Sequence, residues 1–317
     1  MAMVPLEFAR RMVDLHGAAG AAWLERLPAL IDELADRWAL RVLAPFEPLS
    51  YNYVAPAVRA GEGQVVLKVG VPHPELLTEI EALRLFDGRG AVRLREADAG
   101  RGALLLERLV PGTPLAELQD DAAATSLAAG VMRQLWRPLP AEHTFPTVER
   151  WALGLQRLRA RFGGGCGPFP TSLVERAESL FAELIASMGE RVLLHGDLHH
   201  HNILAAGRQP WLALDPKGLA GEAEYEAGAL LRNPMPAFLA WPDLLRITRR
   251  RVDQLAEELG FDRVRLTGWA IAQAVLAGWW SYEDTGHGWQ KWMMCAEALI
   301  EAGAVPGRPK LRAPGRL

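Results

Sequence analysis

The chain's clearest chemistry sits in three oxygen-bearing side chains within one short stretch. In VLLHGDLHHHNILAAGRQPWLALDPKG, Asp197 and Asn202 stand five residues apart, and Asp215 follows 13 residues after Asn202. The run from Asn202 to Asp215 reads as a β-hairpin, NILAA out and WLALD back, around a turn at residues 207–210. Asn202 and Asp215 are equidistant from that turn, so antiparallel pairing is expected to set them side by side. Two such oxygens suit Mg²⁺, which takes a few protein oxygens and completes its shell with phosphate and water. Asp197, on the preceding loop, is placed to hold or deprotonate a hydroxyl nucleophile. Phosphoryl transfer asks for little more than these parts and a lysine on the phosphates.

The elements that must position this set follow from periodicity. Residues 20–40 carry Trp23, Leu27, Leu30, Leu34 and Trp38 at helical spacing, and Pro45 and Pro48 are expected to end that helix. From Leu49 the pattern changes to period two, YNYVAPAV and QVVLKVG around Gly61–Gly63, which predicts a hairpin. A helix starts at Pro74 and stops at Gly88, and two strand-like runs follow, AVRLREA and GALLLERLV. Pro111, Gly112 and Pro114 mark a connector. Beyond it, helices are expected at 120–136, 147–162, 172–188, 243–259 and 264–302, interrupted by a β island at 192–214. The fold class is therefore α+β. A lobe at 1–108 with a small antiparallel sheet precedes a larger helical lobe at 109–304. A basic, Pro-rich tail, expected to fray, occupies 305–317.

HGDLHHHN resembles the H-G-D-x-x-x-x-N loop of the aminoglycoside phosphotransferase family, relatives of the protein kinases. LLLERLVPG resembles that family's hinge and Lys68 in VVLKVG its phosphate-gripping lysine. With DPKGLAGE and YEAGALLRNP, the likeness points to the streptomycin kinase and hydroxyurea phosphotransferase branch, over roughly residues 45–300. The resemblance implies a two-lobed, protein-kinase-like fold that uses ATP and Mg²⁺, with 1–108 as the nucleotide-binding lobe and 109–304 as the catalytic and substrate lobe. It makes Asp197 the base, Asn202 and Asp215 the Mg²⁺ ligands and His195 a brace for the loop. Lys68 would bind the α- and β-phosphates, and backbone groups of Glu107 and Leu109 would meet adenine. Lys68 then needs a carboxylate partner. On a helical wheel the apolar centre of the 74–86 helix lies about 70° from Glu79 and about 130° from Glu81, so Glu79 is the more inward. The sequence departs from the family in two places. SYNYVAPA replaces the glycine-rich phosphate loop, leaving Ser50 and Asn52 as the small polar donors, and Pro216 and Lys217 stand in the metal motif.

Other residues are weighed against plainer roles. His199, His200 and His201 lack partners at zinc spacing and read as loop histidines. Of the eleven tryptophans, five cluster between Trp269 and Trp292 and read mainly as packing. In WWSYEDTGHGW, Glu283 and Asp284 flank aromatic surfaces and could serve a cationic substrate, as could Glu222. Glu226 reads as structural. Arg249, Arg250 and Arg251 read as a solvated helix face.

The formal net charge of -3 provides no basic field for nucleic acid. Half of the residues are hydrophobic, yet no run reaches the roughly 18 apolar residues of a membrane span. Cys166 and Cys295 form no disulfide framework, so a cytoplasmic monomer or homodimer with a small-molecule substrate is expected. The leading expectation is ATP-dependent O-phosphorylation of a hydroxylated, cationic antibiotic, with streptomycin at its 6-hydroxyl as the named acceptor. Hydroxyurea, or a metabolic sugar or amino alcohol, is the alternative acceptor. A non-catalytic nucleotide-binding module is disfavoured because Lys68, Asp197, Asn202 and Asp215 are all present. A protein kinase is disfavoured because only about ten residues separate DPKG from the next expected helix.

Overall fold

The computed structural model describes residues 4–303, so the tail expected at 305–317 lies outside the described residues. In chain order the elements begin with α1 (Leu6–Trp38), β1 (Leu40–Val42), β2 (Tyr53–Arg59), β3 (Gly63–Val69), α2 (Pro74–Phe86), β4 (Leu94–Asp98) and β5 (Ala103–Glu107). Next come β6 (Pro111–Pro114), α3 (Asp121–Leu135), β7 (Arg137–Pro138), α4 (Val148–Arg161) and α5 (Thr171–Ala186). Four short strands follow, β8 (Val192–Leu194), β9 (Ile203–Ala206), β10 (Trp211–Ala213) and β11 (Leu219–Gly221). The described residues end in α6 (Ala227–Leu231), α7 (Leu244–Leu259), α8 (Arg263–Thr285) and α9 (Gln290–Gly303). This is an α+β fold. No helix among the described residues is long and apolar enough to cross a membrane.

The chain divides into two compact units. The first runs through Asp120 and adds Gly130–Thr147 and Glu190–Gly221; the second holds Asp121–Ala129, Val148–Gly189 and the chain from Glu222 onward. In the first unit a five-stranded antiparallel sheet has the order β1-β2-β3-β5-β4. Alternate residues of one sheet face, Tyr53, Ala55 and Ala57 on β2, Val65, Leu67 and Val69 on β3, and Ala103 and Leu105 on β5, form one core with Trp23, Leu27, Leu34 and Trp38 of α1. Lys68, in register with Val54 on one side and Leu104 on the other, is turned by period two toward the opposite face.

Several expectations need correction. The first helix starts at Leu6 rather than near residue 20, with one non-helical residue at Gly17. It ends at Trp38, well before Pro45, because Ala39 takes a left-handed conformation (φ 53°) and the chain enters β1 at the sheet edge. The connector at Pro111–Pro114 is a strand, paired with β9 through Pro111–Ala206 and Pro114–Leu204. The helix expected at 264–302 is two helices, because Gly286 and Gly288 both have positive φ and stop the first.

The second unit is helical, and its middle is α8, buried continuously from Leu266 to Trp279. Arg251, read as solvent-facing, is fully buried there. Its guanidinium pairs with Asp121, donates to the Asn233 carbonyl at 2.7 Å, and lies 5.1 and 5.0 Å from the ring centres of Phe238 and Trp241. A basic triplet does not reveal which of its members a helix turns inward.

Candidate active site

Lys68 is 4% exposed, and its ammonium bridges two carboxylates. It donates to Glu79 Oε1 and Oε2 at 2.6 and 2.8 Å and to Asp215 Oδ1 at 2.9 Å. Burial works against the charge, but Asp215 and Glu79 outweigh it and raise the Lys68 pKa, so the lysine stays cationic. Asp215 moves the other way: burial favours its neutral form, yet Lys68 holds its carboxyl below the ordinary carboxylate range. The competing Glu81 lies elsewhere on α2 and accepts from Thr144 Oγ1 at 2.7 Å.

The hairpin pairs Ile203 with Ala213 and Leu204 with Leu212, and Leu214 N–H donates to the Asn202 carbonyl at 2.9 Å. Asn202 therefore faces Leu214 and not, as the turn count implied, Asp215. The offset is set at the turn, where Ala206 N–H donates to the Pro210 carbonyl at 3.1 Å and Trp211 pairs with Ala205, so that the loop is residues 207–209. Asp215 has φ 59°, a left-handed conformation that carries it out of the ladder and turns its carboxylate toward Lys68. The Asn202 amide donates to the Asp197 carbonyl at 3.0 Å, an orientation that leaves its oxygen to act as a ligand.

His195 is buried and braces this loop through both ring nitrogens. Its Nδ1 accepts from Asp197 N–H at 3.3 Å, so the ring proton resides on Nε2, which donates to the Leu214 carbonyl at 2.8 Å. Burial lowers its pKa to about 4, so the ring is neutral. The His195 carbonyl also accepts from Lys217 N–H at 2.8 Å, tying the Asp197 loop to the Asp215 segment. The Asp197 carboxylate lies 3.7 Å from His199 Nε2. His200 is buried and belongs to no metal cluster; among the described residues no group of three or more His, Cys, Asp or Glu side chains could hold a metal. The hard oxygens of Asn202 and Asp215 do fit Mg²⁺, which needs few protein ligands when phosphates supply the rest.

At the expected hinge, the Glu107 carboxylate accepts from Arg208 Nε and Nη2, both at 3.0 Å, and from Arg93 N–H at 3.1 Å. Burial favours its neutral form, but these donors outweigh it and lower its pKa. Glu107 N–H donates to the Arg93 carbonyl at 2.9 Å. Leu109 is buried, 5% exposed. Ser50 is exposed, and its carbonyl accepts from Arg11 at 3.4 Å. Asn52 Oδ1 occupies the space that a Cβ on Gly70 would take, so the side chain closes over this end of β3 only because residue 70 is glycine.

The substrate candidates fare differently. Glu222, expected to face substrate, is 3% exposed and spent inside the second unit. Its oxygens accept from Arg265 at 2.5 and 2.8 Å, from Gly189 N–H at 2.9 Å and from the Trp269 indole, which leaves no lone pair for an incoming cation. Glu283 is held by Arg157 in a two-point pair at 2.9 and 3.1 Å, and Asp284 is exposed near the end of α8. Glu226 is buried in the second unit. Sequence reasoning missed the Glu107–Arg208 pair and an ion pair between Lys217 and Glu75. The signal for the latter was the lysine in DPKG, two residues after Asp215.

Comparison with known proteins gives a consistent result. A family model described as aminoglycoside/hydroxyurea antibiotic resistance kinase matches residues 50–285. The chain is 35% identical over 282 residues to streptomycin 6-kinase of Streptomyces glaucescens, covering 89% of this chain and 91% of the relative. It is 36% identical over 284 residues to hydroxyurea phosphotransferase of Kitasatospora aureofaciens, covering 89% and 81%. An aminoglycoside phosphotransferase of Streptomyces rimosus, solved with ADP and streptomycin, aligns with a TM-score of 0.54 at 18% identity, covering 78% of this chain and 97% of that one. The shared fold is protein-kinase-like.

Proposed function

This chain belongs to the aminoglycoside/hydroxyurea antibiotic resistance kinases, phosphotransferases with hydroxyl acceptors, and we propose that it transfers the γ-phosphoryl group of ATP to streptomycin at its 6-hydroxyl. The observation that carries the catalytic part is the Lys68 ammonium joining Glu79 to Asp215, beside a loop that tethers Asn202 to the Asp197 backbone. Lys68 holds the α- and β-phosphates, and Glu79 keeps its ammonium aimed. Asp197 orients the acceptor hydroxyl and takes its proton as that oxygen bonds the γ-phosphorus. The bond from phosphorus to the β–γ bridging oxygen breaks, and ADP leaves with that oxygen. Asn202 and Asp215 would hold Mg²⁺, which when bound neutralises charge on the phosphate oxygens. His195 acts through the backbone, fixing where Asp197 and Leu214 sit.

The streptomycin assignment is supported by the named relative at 35% identity; the hydroxyurea phosphotransferase at 36% makes hydroxyurea the second acceptor to test. Acceptor-dependent ADP release should be measured with streptomycin, hydroxyurea, other aminoglycosides and simple sugars. Streptomycin is expected to give the highest kcat/KM with one phosphate added per molecule, and turnover with hydroxyurea but not streptomycin would overturn the choice. Asp197→Asn should lower kcat by about 10²–10⁴ while ATP affinity stays near that of the parent chain. Full turnover in that variant would refute the base assignment.

A further inference from the structure

Lys68 is not the only ammonium among the catalytic carboxylates. Lys217 follows Asp215 by two residues. Its backbone is pinned on both sides: its N–H donates to the His195 carbonyl at 2.8 Å, and its carbonyl accepts from Thr78 Oγ1 at 2.6 Å. Its side chain, 38% exposed, reaches Glu75 of α2, one turn before Glu79. The two pairs, Lys217–Glu75 and Lys68–Glu79, thus lie on one face of one helix. Lys217 also interacts electrostatically with Asp197 and with Asp215. Its place in the chain, two residues after Asp215 and bonded through its N–H to the carbonyl of His195, two residues before Asp197, sets it beside both segments.

The chain lacks the glycine-rich loop whose backbone N–H groups would otherwise hold the terminal phosphate, and SYNYVAPA leaves few donors there. Lys68, held between Glu79 and Asp215, is assigned to the α- and β-phosphates, which leaves the γ-phosphate without a cation from this strand. Lys217 is bound by a single carboxylate that is 49% exposed and that water can solvate when the lysine leaves.

We propose that Lys217 is a second phosphate-contacting cation, parked on Glu75 before ATP binds and moving onto the γ-phosphate oxygens when it does. It would take over part of the work of the missing glycine loop. This rests on the kinase reading above. During transfer Lys217 forms and breaks no covalent bond; it follows the charge on the γ-phosphoryl oxygens as the acceptor oxygen bonds phosphorus and ADP departs.

The test is nucleotide binding by calorimetry without acceptor, using ATP and ADP with Mg²⁺, on the full chain and three variants. Lys217→Met is expected to weaken ATP by about ten- to a hundredfold and to leave ADP within about twofold, since only ATP carries the γ-phosphate. Lys217→Arg should restore most of the ATP affinity. Glu75→Gln, which removes the parking partner, should bind ATP as tightly as the parent chain or more tightly. Equal loss for ATP and ADP in Lys217→Met, or no loss at all, would overturn the proposal. So would a Glu75→Gln variant that reproduces the ATP loss, because the pair would then merely clamp α2. A parent chain that binds neither nucleotide would bring down the kinase reading itself, whatever the variants do.

Discussion

The neutral, buried His195 makes stability depend on pH in a defined window. Burial moves its pKa from the ordinary 6.5 to about 4. As pH falls through 6.5 the unfolded chain takes up a proton on this ring, whereas the folded chain does not until about 4. Protons therefore favour the unfolded state between those values. The stability from this residue is complete above 6.5 and is lost progressively down to about 4. At about 1.4 kcal/mol per pH unit, the gap amounts to about 3 kcal/mol, a sizeable part of an ordinary domain's stability. The structural reason is that Nδ1 must stay unprotonated to accept from Asp197 N–H, while Nε2–H already serves the Leu214 carbonyl. Urea unfolding at several pH values between 7 and 4, on the parent chain and on His195→Gln, measures the effect. Gln keeps an amide donor for Leu214 but does not titrate. The parent chain should lose about 3 kcal/mol more than the variant across the window. Proton NMR of the parent chain should show that the ring signal absent from His195→Gln does not titrate near 6.5. Parallel pH profiles, or a His195 ring titrating at its ordinary value, would refute the reasoning.

Lys68→Met leaves Glu79 and Asp215 facing each other without the cation between them. ATP and ADP affinity should both fall by more than about tenfold, and acid should now stabilise the variant. Burial already raises the Glu79 pKa, and removing Lys68 raises it further, so the folded state binds the extra proton. Calorimetric binding and a melting curve at two pH values check both. Arg265→Met strands the buried Glu222 carboxylate and should cost about 3–5 kcal/mol in urea unfolding, whereas an exposed pair would cost under about 1 kcal/mol. A small loss would mean that the Glu222 carboxylate finds water.

Much of this protein is local and therefore legible. The spacing of Asp197, Asn202 and Asp215 lies within one loop and one hairpin, and the alternation of β2 and β3 determines which face Lys68 takes. Helical periodicity alone separates Glu79 from Glu81. Other features were decided by contacts between distant segments. The Lys68–Asp215 bond spans 147 residues and the Lys217–Glu75 pair 142. The burial of Arg251 depends on Asp121, 130 residues away, and that of Glu222 on Arg265 and Trp269. A count from the turn likewise cannot see that the loop closes between Ala206 and Pro210, or that Asp215 takes a positive φ to meet a lysine on another strand. Period and spacing follow from the backbone's own geometry and survive in the sequence. Which charge is buried, and against which partner, is chosen only when packing removes water from one of several otherwise equivalent side chains.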